Sequence, residues 1–588
     1  MLKRVDLYVQ KSHLPIDREL FSLRAQAYVD VLTRTSARLR EFDTFNDPRF
    51  CAALSDVSLI AELAVILDRF VTQMLIARSP GTPAGFKNRA EYQQFLQATI
   101  PGHGAELRTT YPLLDHAFNE AQRNFAQNLE KLCTRLKRDW VRLGEVFRTP
   151  LDSLKRIEGT GSDFHKQGGQ TLILEFAPSF KLVYKPTDLE LDYWVAGRTD
   201  RLAGVPGFPA RRSLSELLNA VDGDERVALP TYTIFPAVRG SQNADMAAAL
   251  RDSYGYLEFI PYDEYADEPS RMNYFYQVGK IAGIAAALSM RDVHQENLIV
   301  AGAKPTLIDM EASLLEPTET VGRSGLLLNL QKGTAESNPY YRMTSGQPAV
   351  WTQDSQGQRT KNVIREDGDP ILLTRDYVLQ VALGYQRVLT LLIQNLEVPA
   401  WLERLANVTV RHVPYPTKDL FADLMNFYTM KAHSQLSDAR AKCRTAFYDE
   451  YRQNVSEWNR KVRGDEGGDG KAWTLPNFLT RSPAHMGRDF ESLDVPSFYG
   501  KPSSSDLYDS RGVPVRPAER VANELPACRA TYFPEPPIDQ LRRQFSMPVL
   551  NQRLRSLRED IAELLMPTVL KTMEDAAQLV EQPVAPSP

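Results

Sequence analysis

The residues best suited to chemistry lie in a short stretch near the middle of the chain. Asp292, His294 and Asn297 belong to the sequence DVHQEN, and Asp309 and Glu311 follow in DME. Phosphoryl transfer needs such a set, because one acid orients or deprotonates the acceptor hydroxyl while an amide and a second acid hold metal ions. Magnesium prefers hard oxygen ligands of this kind. The stretch therefore predicts an ATP-dependent phosphotransferase site.

A glycine-rich turn and a lysine lie upstream of this stretch. Residues 159–169 read GTGSDFHKQGG, and Lys185 follows at the end of a predicted strand. Such a turn can lie over phosphate groups, which a strand-end lysine can neutralise. The order D-x-H-x-x-N at 292–297 is typical of lipid-kinase catalytic loops, and Asp309 lies where the metal-binding acid of that fold follows. Each feature alone is more often structural, because a glycine-rich turn is usually only a turn and a strand-end lysine is usually solvated. Their occurrence together, in this order along the chain, favours a functional site.

Apolar periodicity predicts the elements that position these groups. Alternating apolar residues indicate strands, and a spacing of three to four residues indicates a helix. Predicted helix 275–290 leads to Asp292. A tight turn joins the predicted strands 298–300 and 306–308, and Asn297 and Asp309 lie at their outer ends. The predicted elements are a hairpin of strands 171–176 and 181–185, strand 254–260, helix 275–290, and strands 298–300 and 306–308.

Changes in composition and in apolar periodicity divide the chain into four parts. Residues 1–150 predict a helical scaffold, 151–400 a catalytic core, 401–570 a largely helical continuation, and 571–588 a disordered tail. Within the core, residues 317–370 turn polar and predict a long mobile segment of the kind that often covers an active site.

Composition excludes several classes of protein. The chain has 588 residues, and 70 Lys and Arg against 74 Asp and Glu give a net charge of −4. A near-neutral chain has no global charge that would attract nucleic acid. Four scattered cysteines exclude a disulfide scaffold, and charges interrupt the most apolar stretch near the start, so we expect no membrane partner and a cytoplasmic location.

Several motifs together resemble one family, the dehydratase domain of class II lanthipeptide synthetases (the LanM enzymes). The resemblance runs from about residue 155 to about residue 565, in family order. Arg411 and Thr417 resemble the family's Arg/Thr elimination pair. The other matching segments are DFHKQG at 163–168, KLVYKP at 181–186, DVHQEN at 292–297, LIDME at 307–311 and FESLDVPSFYGKPSSSDLYDS at 490–510.

The resemblance implies a two-step reaction in an α+β, kinase-like (lipid-kinase-like) two-lobed core with large helical additions. ATP would phosphorylate Ser or Thr of a ribosomally made precursor peptide. Elimination of the phosphate would then give dehydroalanine or dehydrobutyrine. Phosphate leaves far more readily than hydroxide, but elimination still needs a base near the Cα proton and cations around the departing phosphate.

Residue roles follow from the same resemblance. Arg411 and Thr417 would serve elimination, whereas Asp163, His165 and Lys185 would lie near the phosphates and serve either step. The residues expected in phosphorylation are Asp292 and His294 as catalytic groups, Lys185, Asn297 and Asp309 around ATP, and Asn297, Asp309 and Glu311 as ligands of Mg²⁺.

Two departures from the family pattern qualify the expectation. Tyr415 stands where the family usually carries a second arginine, which bears on the efficiency of elimination. Family members normally continue into a LanC-like zinc cyclase, but no Cys-His-Gly motif is present here. We therefore expect no lanthionine cyclisation by this chain, which would be a free-standing dehydratase or part of a longer protein, with a separate cyclase as a further partner.

Two other functions remain open at this point. One is an ATP-dependent kinase that acts on a protein or small molecule without elimination. The other is a peptide-binding pseudoenzyme on a decayed kinase-like fold. The presence of Lys185, Asp292, Asn297 and Asp309 argues against decay, because a binding scaffold needs none of these groups. Arg411 and Thr417 argue for elimination over phosphorylation alone.

Overall fold

The structure is a computed structural model of the 588-residue chain. It describes residues 18–78, 89–100, 105–160, 165–166, 168–205, 208, 211–242, 245–263, 267–290, 292–293, 297–315, 341–344, 347–350, 361–366, 369–371, 375–395, 397–412, 483–515, 532–533, 535–546 and 548–553.

The described residues before 150 form helices, as the sequence predicts. The longest begins at Pro112, where a missing backbone N–H costs nothing, and ends before Arg148, whose φ of 52° closes the last turn. Its apolar side chains Phe118, Leu129 and Leu132 are buried. The helices are α1 (Arg18–Ala25), α2 (Val29–Leu39), α3 (Cys51–Ser55), α4 (Val57–Arg78), α5 (Arg89–Thr99), α6 (Ala105–Thr110) and α7 (Pro112–Phe147).

A five-stranded sheet follows, with strand order β1-β2-β3-β5-β4 and antiparallel pairing throughout. The predicted hairpin is confirmed as β2 and β3, in which Leu174 faces Leu182. The sequence did not predict β1 and β4, which flank it. The strands are β1 (Leu154–Gly159), β2 (Leu172–Phe176), β3 (Phe180–Lys185), β4 (Ile234–Val238) and β5 (Tyr254–Glu258).

Helices α8 (Glu190–Ala196), α9 (Leu214–Asp222) and α10 (Met246–Asp252) lie between the strands. Two long helices, α11 (Glu268–Ala287) and α12 (Arg375–Gln394), then pack closely against each other. Glycines allow the close approach, because a Cβ on Gly279 would meet the Val381 carbonyl and one on Gly384 would meet the Tyr276 carbonyl. The predicted helix at 275–290 is the second part of α11.

A short hairpin of β6 (Leu298–Val300) and β7 (Pro305–Leu307) follows α11, as predicted. The end of the predicted mobile segment at 317–370 is packed instead: Asn362, Val363 and Ile364 are buried, and the Lys361 carbonyl accepts from the Val300 N–H at 2.8 Å. Residues 316–340 and 351–360 lie outside the described residues. The segment also contains the hairpins β8 (Tyr341–Thr344) with β9 (Gln347–Val350) and β10 (Arg365–Glu366) with β11 (Asp369–Pro370).

A second, three-stranded antiparallel sheet lies near the end of the described chain. Strand β12 pairs with β13, and β13 pairs with β14, which aligns Arg411 with Tyr499. Its elements and the neighbouring helices are α13 (Val398–Leu402), β12 (Val410–His412), α14 (Pro483–Glu491), β13 (Phe498–Gly500), β14 (Leu507–Asp509) and α15 (Pro537–Gln544).

The fold is therefore mixed, with antiparallel sheets and many helices, in agreement with the predicted α+β class. Antiparallel pairing of the strands distinguishes this class from βαβ folds, whose sheets are parallel. None of the helices in the described part of the chain is long and apolar enough to cross a membrane.

Candidate active site

Lys185 is the last residue of β3, and the sheet fixes its backbone between β2 and β5. Its ammonium lies 2.9 Å from Asp309 Oδ2 and donates to the Ile308 carbonyl at 3.2 Å. Burial disfavours the charged form, but nearby carboxylates, Asp309 foremost, outweigh it and raise the pKa of Lys185 above its ordinary value. The first sheet and the β6–β7 hairpin thus meet in an ion pair.

The β6–β7 hairpin brings the predicted amide and acid to one end. Asn297 precedes β6, and its carbonyl accepts from the Ile308 N–H at 3.0 Å, one residue before Asp309. The Asn297 side chain donates to the Asp292 carbonyl at 2.8 Å. The number of residues between the DVHQEN and DME motifs therefore matches the length of the β6–β7 hairpin that brings them together.

Arg411 lies in β12 and contacts the same hairpin from the other side. Its N–H donates to the Glu311 carbonyl at 2.7 Å, and its Nη1 lies 3.0 Å from Glu311 Oε1. Burial opposes the charge, but Glu311, Tyr499 and Asp292 raise the pKa of Arg411 above its ordinary value. The Arg411 guanidinium is thus held in its charged form beside Glu311, which lies two residues after Asp309.

His165 is held by the loop that leads into β13. Its Nδ1 lies 3.2 Å from the Val495 carbonyl and 2.9 Å from Ser497 Oγ. A carbonyl only accepts, so Nδ1 carries the hydrogen and the neutral ring leaves the Nε2 lone pair available. Burial and the charge of Arg411 lower the pKa of His165 well below its ordinary value. The imidazole is therefore neutral at neutral pH.

Four of the positions singled out from the sequence, Asp163, His294, Tyr415 and Thr417, lie outside the described residues. Among the described positions, the structure pairs Lys185 with Asp309 and Arg411 with Glu311. It also places His165 within the electrostatic influence of Arg411. Groups drawn from distant parts of the sequence thus converge in one region.

Two buried acids that the sequence did not single out follow Lys185. Asp188 accepts from the N–H groups of Glu190 and Gly240 at 3.1 Å and of Thr409 at 3.2 Å. Thr409 lies next to β12, so the Asp188 carboxylate joins the segment after β3 to the Arg411 strand. Burial, followed by the charge of Asp188, raises the pKa of Glu190 to about 7. In the sequence these acids belong to the run PTDLELD, which follows a predicted strand, but this run does not indicate that their side chains are buried.

Asp192 is the third acid of this run, and it lies in α8. Its side chain is 1% exposed, and among the described residues its Oδ1 has no hydrogen-bond partner. Burial raises the pKa of Asp192 to about 7, although the charge of Lys185 acts in the opposite direction. The negative charge around Lys185 therefore comes from more than Asp309 alone.

The donor set suits magnesium in part. Asn297 and Asp309 offer hard oxygen atoms at one end of the hairpin, whereas Glu311 is engaged by Arg411 and one oxygen of Asp309 by Lys185. No group of three His, Cys, Asp or Glu side chains forms a metal cage within the described residues. Magnesium usually binds through one or two carboxylates with phosphate and water oxygens, so Asn297 and Asp309 fit it without a cage.

A cleft lies beside this region, between α4, α7 and β1. Its wall includes Gly168 and Leu493, which neighbour the loops that hold His165. Its lining is mainly apolar and includes Leu59, Ile66, Phe70, Phe125, Leu129, Ile157 and Leu172. The cleft therefore presents a mainly apolar surface beside the candidate site.

A comparison with models of protein families gives a match over part of the chain. Residues 111–338 match the family described as a domain of unknown function (DUF4135), a domain associated with lanthipeptide synthetase-like proteins. The matched range includes His165, Lys185 and Asp309 but ends before Arg411. No curated protein matched the chain.

Proposed function

We propose that this chain is a LanM-like dehydratase with a kinase-like catalytic core. It would phosphorylate Ser or Thr of a ribosomally made precursor peptide with ATP and then eliminate the phosphate to leave dehydroalanine or dehydrobutyrine. The observation that carries this proposal is the contact between Arg411 and Glu311, two residues from the Asp309 that pairs with Lys185. Groups suited to each step thus share one region.

The arrangement around Lys185 supports the phosphorylation step. A lysine at the end of a sheet strand, paired with an acid that follows a short hairpin, can bind nucleotide phosphates at the point where a metal also binds. Bound Mg²⁺ would neutralise phosphate oxygens, held by Asn297 and Asp309. Asp292 would orient the peptide hydroxyl and accept its proton. The γ-phosphoryl group would pass to the peptide oxygen and leave ADP.

The surroundings of Arg411 support the elimination step. The guanidinium provides a permanent charge next to the hairpin, where the phosphorylated side chain would lie after transfer. The neutral His165 imidazole, with Nδ1 held by the Val495 carbonyl, can accept the Cα proton at Nε2. The Cα–H electron pair becomes the new double bond as the Cβ–O bond breaks and phosphate leaves with its electrons. Arg411 and His165 would thus supply the cation and the base that elimination needs.

Mass spectrometry separates this function from its alternatives. Purified protein is incubated with ATP, Mg²⁺ and candidate precursor peptides rich in Ser and Thr. Loss of one water mass per modified residue supports dehydration. Gain of one phosphoryl mass without later loss indicates a kinase that does not eliminate. Binding without any mass change indicates a peptide-binding pseudoenzyme.

A further inference from the structure

Lys166 lies in the candidate site in a backbone conformation that lysine rarely adopts. Its φ is 55°, a left-handed conformation that costs about 1–2 kcal/mol for a residue with a Cβ. Reciprocal hydrogen bonds between His165 and Gly169, of 3.1 and 2.6 Å, close the turn around it. The Gly168 N–H also donates to Asp494 at 2.6 Å. The turn is thus fixed on both sides, and such strain is often found at functional sites.

The ammonium of Lys166 differs from the other cations of the site. Lys185 and Arg411 each pair with a carboxylate at 2.9 and 3.0 Å. Lys166 Nζ instead lies 4.9 Å from the ring centroid of Tyr499, and no described residue forms an ion pair or hydrogen bond with it. The side chain remains partly exposed, so a ligand can reach it.

The electrostatic surroundings agree with an unbalanced positive charge. Burial lowers the pKa of Lys166 to about 8, with Arg135 and Arg411 acting in the same direction. The carboxylates of Glu311 and Asp188 act in the opposite direction without reversing the shift. A cation without a partner in such surroundings is unfavourable unless an anion joins it.

We propose that Lys166 binds the phosphate monoester of the phosphorylated Ser or Thr and then the departing inorganic phosphate. This inference rests on the proposed function. A phosphate monoester carries a charge of about −1.5 to −2 at neutral pH, which Arg411 alone cannot balance. The Arg411 charge is already shared with Glu311, and His165 is neutral, so Lys166 provides the second cation.

The elimination of phosphate transfers no atom to Lys166. The Cα proton passes to the base, for which His165 is the described candidate. The electron pair of the Cα–H bond forms the Cα=Cβ bond, and the Cβ–O pair leaves with phosphate. The Lys166 ammonium donates hydrogen bonds to the phosphate oxygens and offsets the charge that grows on them.

Binding to the full-length protein, measured without ATP, tests the inference. The probe is a synthetic phosphoserine peptide, compared with its unphosphorylated counterpart by isothermal titration calorimetry. We expect Lys166→Met to weaken phosphopeptide binding about tenfold or more, as for a lost charge-assisted hydrogen bond, and Lys166→Arg to restore part of it. Lys181→Met is the matched control, because Lys181 Nζ also lies over an aromatic ring, that of Phe259, at 5.5 Å.

The same variants separate the two chemical steps. Lys166→Met should slow elimination from the phosphoserine peptide about tenfold or more. ADP formation with the unphosphorylated peptide should fall less than elimination does, since Lys166 forms no ion pair with a residue expected in phosphorylation. Equal phosphopeptide affinity and equal elimination in Lys166→Met and the wild type would overturn the inference.

A measurement on the wild-type protein does not depend on how the variants fold. Lysines are labelled with an amine-reactive reagent in the presence and absence of inorganic phosphate, and each site is quantified by peptide mapping. Phosphate should protect Lys166 but not Lys181. Protection of Lys166 in a protein that neither phosphorylates nor dehydrates peptides would keep the anion site and reject the proposed function. Dehydration by a protein whose Lys166 labelling ignores phosphate would do the reverse.

Discussion

Arg411 and Glu311 are joined twice, through the backbone at 2.7 Å and through their side chains at 3.0 Å. The two contacts attach strand β12 to the segment that follows β7. They place a residue expected in elimination beside residues expected in phosphorylation, although the two motifs lie about a hundred residues apart. This geometry supports a single pocket for both steps.

The first prediction concerns this contact. Arg411→Met should leave phosphorylation in place and slow elimination on the order of a hundredfold, because the leaving phosphate loses a preorganised cation. Mass spectrometry of the peptide should then show accumulation of the phosphorylated form. Arg542→Met is the control, since Arg542 also pairs with a glutamate, Glu403, but at an exposed position. Unmodified peptide from a folded Arg411→Met protein would contradict this division of labour.

The second prediction concerns Asp309. Asp309→Asn keeps the shape of the side chain but removes the charge that pairs with Lys185 and would bind Mg²⁺. We expect phosphorylation to fall more than about a hundredfold, so that the peptide stays unmodified and little ADP forms. Asp200→Asn is the control, because Asp200 pairs with Arg148 at 3.1 Å on the surface. Phosphorylation at the wild-type rate by Asp309→Asn would exclude Asp309 from the site.

Local patterns in the sequence predicted the parts of the site that depend on nearby residues. The β2–β3 hairpin follows from alternating apolar residues, and helix α11 and the β6–β7 hairpin follow from periodicity and a turn. The positions of Lys185, Asn297 and Asp309 at element ends could therefore be anticipated. The proximity of Asn297 and Asp309 follows from antiparallel pairing across the short turn between β6 and β7. The contact of Lys185 with Asp309 joins two separate sheets and does not follow from a local pattern.

Contacts between residues that lie far apart in the sequence could not be predicted from such local patterns. Arg411 aligns with Tyr499 only because β12 pairs with β13, and short strands carry little periodicity. The Lys166 ammonium over the Tyr499 ring depends on that pairing. The burial of Glu190 and Asp192 likewise depends on packing around α8, and charged residues in a sequence are expected to be exposed.

The third prediction is a pH dependence of stability. The pKa of Glu190 is raised from 4.5 to about 7, so the folded state holds a proton that the unfolded state releases. The contribution of Glu190 to stability is therefore present below about pH 4.5 and is lost as the pH rises through 7. Glu190→Gln does not titrate, and its free energy of unfolding relative to the wild type should increase between these values.

Urea denaturation of Glu190→Gln and the wild type at pH 5 and pH 8 measures this difference. A gain on the order of 3 kcal/mol is the upper limit, because each unit of pKa shift corresponds to about 1.4 kcal/mol. The ion pair with Arg239, at 3.6 Å, forms only with the ionised carboxylate, and its effect is already part of the raised pKa of Glu190. Glu225→Gln, at an exposed position, controls for the loss of one carboxylate from the chain. A pH-independent difference for Glu190→Gln would contradict the assignment.

The fourth prediction tests the turn that holds His165 and Lys166. Gly168 has a φ of 77°, and a Cβ at this position would lie 2.6 Å from Asn124 Cβ. Gly168→Ala should therefore combine a conformational cost of about 1–2 kcal/mol with a steric clash that only a shift of the turn relieves. Because the Gly168 N–H binds Asp494, such a shift also weakens this contact. We expect a lower free energy of unfolding and weaker phosphopeptide binding.

Gly204 provides a matched comparison for Gly168. Its φ is 87°, and a Cβ there would have no neighbour within 4 Å, so Gly204→Ala has the conformational cost without the clash. Urea denaturation of both variants should show the larger loss of stability in Gly168→Ala, and only that variant should lose phosphopeptide affinity. Equal stability and equal affinity of the two variants would mean that the turn tolerates displacement, and that its geometry does not determine the position of Lys166.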